Sequence, residues 1–225
     1  MILRRPPALL CAVLAATAVA FLSGCSGLLP KPQSPPALYG LGGVSAERPD
    51  ASARTGAPAH PGLLLIVELP HADPGLDSAH IVYTRADGRV GHFAHSEWMD
   101  TPARMLAPLI VDTLATSGGF RAVMTAPSAA AGDVRLETQV VRLQQEFEPT
   151  PSRVRFTLRA YLIVEGTRDV VVTREFDATV AADHADTEGG VRAARLAVAQ
   201  VLGQLRAFCL DAAATLAAAP APASP

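Results

Sequence analysis

Between Gly62 and Leu210 the apolar residues recur at two periods, near two and near 3.6, and each change of period separates a strand from a helix. Leu63 to Leu69 is an unbroken apolar run, which predicts a central strand covered on both faces. Ile81 to Thr84 and Arg89 to Phe93 flank Ala86-Asp87-Gly88, where glycine supplies the positive φ that a tight hairpin needs. Thr101-Pro102 marks a helix start, a capping hydroxyl before a residue with no N–H to lose, and Gly118-Gly119 marks its stop. Leu106, Leu109, Ile110, Thr113 and Leu114 give that helix one apolar face. Pro108 sits inside it; an interior proline removes a ladder bond at a cost of about 3 kcal/mol, so a kink or a later start is expected.

The second half reads as three long strands and a helix. Val134-Leu136-Thr138-Val140 alternates in one phase and Val141-Leu143-Gln145-Phe147 in the other, which predicts a bulge near Val140. Val154 to Val164 alternates with Arg153, Arg155 and Arg159 on the opposite face, and Val170 to Val180 alternates with Glu175 and Asp177 outward. Arginines facing acids on the next strand predict cross-strand ion pairs on a solvated face, each contributing roughly a few tenths of a kcal/mol. Val191, Val198, Leu202, Leu205 and Cys209 recur at helical spacing, so Cys209 is expected to be a small core hydrophobe rather than a reactive thiol. The expected fold is α+β: an antiparallel sheet, hairpin plus three-stranded meander, with two main helices packed on one face. This domain is placed at 62–211, ahead of an Ala- and Pro-rich tail at 212–225 expected to be disordered.

Residues 1–24 read as an export signal, with Arg4 and Arg5 before an apolar stretch from Ala8 to Leu22 that is short for a membrane span. Leu22-Ser23-Gly24-Cys25 follows and resembles the lipobox of bacterial lipoproteins; the thiol of Cys25 is the nucleophile that would take a diacylglycerol. Ser26, where an aspartate would favour retention in the inner membrane, points to the periplasmic face of the outer membrane. Residues 25–61 are a tether: seven of the 19 prolines fall between Pro30 and Pro61. Within it, Ala37-Leu38-Tyr39-Gly40-Leu41 is apolar, and residues 37–42 are expected to dock as a first strand.

Charge then removes one class of function. Lys+Arg 19 against Asp+Glu 21 becomes 17 against 21 once Arg4 and Arg5 leave with the signal, so no basic surplus exists for nucleic-acid binding. Cys11, Cys25 and Cys209 are too scattered for a disulfide framework or a zinc cage. A phosphate-binding loop needs Gly-Lys-Ser/Thr, and the only lysine is Lys31 in the tether. Gly40-Leu41-Gly42-Gly43 lacks the third spaced glycine of a dinucleotide fingerprint, and Gly-x-Ser-x-Gly is absent. His92, His95 and Glu97 are the nearest approach to a metal site, but on one strand His92 and His95 point to opposite faces, so a polar strand end is expected there. His60, His71, His80 and His184 fall in loops or strand ends. No cofactor, metal site or catalytic set is expected.

Three features in order carry a resemblance: the lipobox, a Tyr-x-Leu strand at Tyr39 and Leu41, and Glu97-Trp98-Met99-Asp100-Thr101-Pro102 before the first helix. Leu114 to Val123, with Gly118, Gly119 and Phe120, closes that helix in a related pattern. The sequence resembles the ABC-type transport auxiliary lipoproteins, which include the PqiC-like lipoproteins, over Leu38 to Leu210. Glu97 stands where the family usually has arginine, and Thr101 is inserted before Pro102. The resemblance implies a non-catalytic periplasmic component that works with a permease, an ATPase and a substrate-binding subunit of the mammalian-cell-entry (MCE) type, moving lipids or other hydrophobic molecules between the membranes. Trp98, the one tryptophan, is expected to plug the core at the helix start, with a partner-docking role for Trp98 and Tyr39 as the alternative. Two other readings are an outer-membrane lipoprotein that helps assemble or plug a β-barrel, and an envelope hydrolase using His92, His95 or Glu97. An edge strand near Tyr39 could also pair with a second copy of the chain.

Overall fold

The computed structural model describes residues 34–42, 62–148, 150–167 and 169–218; the export segment, Cys25, most of the tether and residues 219–225 lie outside them. In chain order come β1 (Ala37–Tyr39), β2 (Leu64–Val67), β3 (His71–Ala72), β4 (His80–Thr84), β5 (Val90–Trp98), α1 (Pro102–Ala115), β6 (Ala122–Thr125), β7 (Val134–Glu146), β8 (Arg153–Val164), β9 (Val170–Ala181) and α2 (Thr187–Ala218).

The meander is as expected: β7, β8 and β9 pair antiparallel, and the register of β7 shifts between Val140 and Arg142. That extra residue keeps Val134, Leu136 and Val140 on the same buried side as Leu143 and Gln145. The purely antiparallel sheet does not hold. The sheet has nine strands and is mixed. Along its other edge β7 pairs in parallel with β2, then β3, then β4, at residues 134–136, 139–140 and 145–146. β6 pairs in parallel with β2, and β1 with β5. A parallel pairing needs a crossover, and α1 lies in the crossover from β2 to β6. The side-chain period of two is the same in both directions, and β3 has only 2 residues, so neither direction nor β3 was legible from alternation.

Asp133 joins these pieces. Its carboxylate accepts the Leu64 amide at 2.6 Å, its own amide donates to the Leu64 carbonyl at 2.9 Å, and its carbonyl accepts the Glu165 amide at 3.1 Å. Arg121 Nη2 stands 3.6 Å from the same carboxylate, so one side chain ties β2, the approach to β6 and the start of β7.

α1 begins at Pro102, with Thr101 in extended conformation at the N-cap. The expected hydroxyl cap is not formed; instead Asp100 Oδ1 accepts the Thr101 amide at 2.8 Å. The later helix start is not seen either, since Pro108 lies within the helix on its exposed side. Gly118 takes a positive φ of 77° just past the helix end, a conformation that lacks the usual steric penalty only for glycine.

α2 packs on β7, β8 and β9 and against α1. Asp186 caps it, accepting the Gly189 amide at 2.8 Å, and Arg192 forks onto Asp183 with two bonds of 2.9 Å. The helix is long and apolar enough to cross a membrane by composition, yet Ala197, Val201, Leu205 and Phe208 are buried in the domain core, where Phe208 meets Phe176 edge-on at 5.5 Å. It also runs to Ala218, seven residues into the stretch expected to be loose. Alanine is the best helix former, and Ala213 is buried, so the alanine-rich stretch continues the helix as far as Ala218.

Two buried groups lead to predictions. Thr138 Oγ1 is buried without a hydrogen-bond partner, so Thr138→Val, which keeps the shape, is expected to stabilise the domain by about 1 kcal/mol in urea unfolding. Burial pushes the Cys209 thiol up to about 12. The folded protein at pH 8 is therefore expected to leave Cys209 unmodified by a thiol reagent that labels it in denaturant.

Candidate functional site

Of the residues singled out from the sequence, Tyr39, His80, His92, Glu97 and Trp98 lie together where β1 and the β4–β5 hairpin meet the start of α1. β1 adds to β5 in parallel, with Ala37 opposite Ser96, Leu38 opposite Glu97 and Tyr39 opposite Trp98. The Met99 amide donates to the Tyr39 carbonyl at 2.7 Å, and Arg195 Nε on α2 donates to the Gly40 carbonyl at 2.9 Å. The first strand read from Ala37 to Leu41 is thus real, though its regular part is 3 residues long.

Trp98 is 3% exposed. Its indole faces Ile81, Leu143, Gly190 and Ala194 around a cavity of about 10 Å³, room for at most one water. The tryptophan is a core plug at the helix start, and burial closes it to a docking partner. Tyr39 is half-buried and packs against the same core. Gln145 lines this cavity too, 2% exposed; its Nε2 donates to Ser152 Oγ at 3.1 Å, and its Oε1 has no partner. A Cβ at Gly190 would overlap that oxygen, so glycine is what lets the first turn of α2 settle on the sheet. The sequence offered no signal for this contact beyond a pair of glycines in a helix.

The histidine cluster does not converge on a metal. His92 stacks on His80, ring centroids 4.3 Å apart, and His80 Nδ1 lies 3.9 Å from Glu97 Oε1. His80 is the first residue of β4, a strand end as expected, and the register of the hairpin shifts between His80 and Val82. Among the described residues no three His, Cys, Asp or Glu side chains are placed to hold a metal ion.

The face of the meander opposite the helices carries the expected ion pairs. Arg159 meets Glu175 at 2.7 Å, Arg155 meets Asp177 at 2.8 Å and Arg153 meets Glu146 at 2.7 Å. Arg135 bridges Glu68 and Glu165 at the other end of the face. Burial raises the Asp177 carboxyl, but the Thr157 hydroxyl and the Arg155 guanidinium together hold it below its ordinary range. A shallow groove of about 260 Å³ lies elsewhere, between the end of α1 and the last turns of α2, lined by Gly62, Leu63, Gly119, Leu210 and alanines.

A family model for the ABC-type transport auxiliary lipoprotein component matches residues 45–205, more than two thirds of the chain. The chain belongs to that family. This auxiliary lipoprotein is accordingly a component of an ABC-type transport system, and its family is one of lipid-anchored envelope proteins. Its fold is similar to that of a Xanthomonas campestris protein assigned to the family DUF330, with a TM-score of 0.66 and 22% identity over 70% of this chain and 89% of that one. A second crystal structure, of an uncharacterized protein, has a TM-score of 0.58 at 15% identity and covers 78% of this chain and 99% of that one. At such identities the likeness is one of fold. No curated protein matches the sequence.

Because Asp177 titrates below its ordinary value of 3.8 when folded, its pairing stabilises the domain above that pH and is lost as pH falls through the folded value. Asp177→Asn is expected to lower stability at pH 7 and to flatten the acid limb below about pH 4 in a pH series of urea unfolding.

Proposed function

We propose that this auxiliary lipoprotein is a non-catalytic periplasmic subunit of an MCE/ABC-type envelope transport system that moves lipids or other hydrophobic molecules between the inner and outer membranes. Acyl chains on Cys25 hold it at the periplasmic face of the outer membrane. At about 0.8 kcal/mol per buried CH₂, several acyl chains exceed what stable anchoring needs. The observation that carries the reading is the family match from residue 45 to residue 205, across strands β2 to β9 and the first part of α2.

The physics of the chain is consistent with that role. Hydrolysis of ATP would fall to another subunit, since Lys31, the one lysine, lies in the tether and no phosphate-binding loop exists. What the domain offers is a compact body, a charged sheet face and edge strands, the equipment of a protein that positions or seals others. Permease, ATPase and an MCE-domain protein are the partners this reading requires, and self-association into a ring is compatible with the edge strand at Tyr39, β1.

The test is to solubilise the native envelope in mild detergent, isolate the tagged lipoprotein and identify what comes with it by mass spectrometry. Recovery of an MCE-domain protein with its permease is the expected result. Recovery of a β-barrel alone would move the assignment to barrel assembly, and loss of transport on replacing His92, His95 or Glu97 singly would point to catalysis.

A further inference from the structure

Of the large apolar side chains that remain exposed, Leu38 at 65% and Met99 at 67% lie side by side. Leu38 and Gly40 are two residues apart on extended chain and share a side, and Met99 Sδ covers Gly40, 3.1 Å from where a Cβ would stand. They are not on a loose loop. The Met99–Tyr39 and Arg195–Gly40 hydrogen bonds fix this edge to β5 and to α2, and buried Trp98 stiffens the strand beneath.

Position in the chain says what such a pair could meet. Eleven residues, 26–36, separate Cys25 from Ala37. A flexible chain of that length spans about 20 Å on average and about 40 Å when extended, so β1 is the first element along the chain from Cys25 and stays within that reach of it. We propose that Leu38 and Met99 form a membrane-contact patch that lays the β1 edge on the lipid surface to which Cys25 is anchored. The inference rests on the anchor reading above and adds an orientation to it. Tethering makes the second contact intramolecular, so two apolar side chains can hold an orientation although they would not recruit a free domain. Docked this way, the domain turns β1 to the lipid and leaves strand β9 free for protein partners.

The experiment uses the mature lipoprotein in vesicles of phosphatidylethanolamine and phosphatidylglycerol. A single environment-sensitive fluorophore is attached through Leu38→Cys, Met99→Cys or Val90→Cys. Cys25 carries the acyl chains and Cys209 is buried, so only the introduced thiol reacts. Val90, 70% exposed, lies at the opposite end of β5 and serves as the reference. Labels at 38 and 99 are expected to shift to the blue and brighten on vesicles while the label at 90 stays aqueous, and Leu38→Glu is expected to abolish the shift at 99. Aqueous emission at all three positions in protein that floats with the vesicles overturns the contact patch and leaves the anchor standing. Blue emission at 38 and 99 before lipid is added also overturns it, assigning the patch to a second copy or another segment of the chain. Protein that carries no acyl mass and does not float overturns the anchor reading, and the patch with it.

Discussion

A strand paired on both edges leaves none of its backbone groups facing water, and β7 comes close to that state over its 13 residues. β8 takes one edge along the whole length, and β2, β3 and β4 take the other edge in succession. The β4–β5 hairpin, the β2–β6 pair and, through β5, the N-terminal strand therefore all take their positions from β7. The bulge at Val140 is part of this arrangement, because without the extra residue the second half of β7 would turn Leu143 and Gln145 to solvent.

The helix layer is held close by small residues and by a few polar contacts at its ends. Gly190, Ala194 and Ala197 bring the first turns of α2 down onto the sheet, and larger side chains farther along, Leu205 and Phe208, fill the space over β8 and β9. Asp186 and the Asp183–Arg192 fork set where the helix begins. The core is almost wholly apolar, with Thr138 Oγ1 and Gln145 Oε1 as buried atoms lacking partners. The outer face of the meander has a different chemistry. Half-exposed ion pairs there contribute little to stability individually, but they keep a broad sheet face charged and soluble while both helices occupy the other.

These features fit a protein whose business is placement. The N-terminal strand β1 is fixed to the rest of the fold by the hydrogen bonds from the Met99 amide to the Tyr39 carbonyl and from Arg195 to the Gly40 carbonyl. At the hairpin, His80 and His92 stack on one another.

Local elements were legible in the amino-acid order alone. Alternation from Val134 to Val180 specified three long strands, their inner faces and the bulge, because a period of two is a local property of extended chain. The hairpin at Gly88, the helix from Pro102, the core role of Cys209 and the arginine–acid pairs were legible for the same reason: each depends on neighbours near in sequence or on adjacent long strands. The family was legible from the order of short motifs. Strand direction and partnership were decided only by the tertiary structure, since β2, β3 and β4 meet β7 through contacts more than 60 residues apart and alternation carries no sign of direction. The stacking of His80 on His92 and the fit of Gly190 against Gln145 belong to the same class. Each joins residues from different elements, and such contacts exist only once the sheet has brought those elements together.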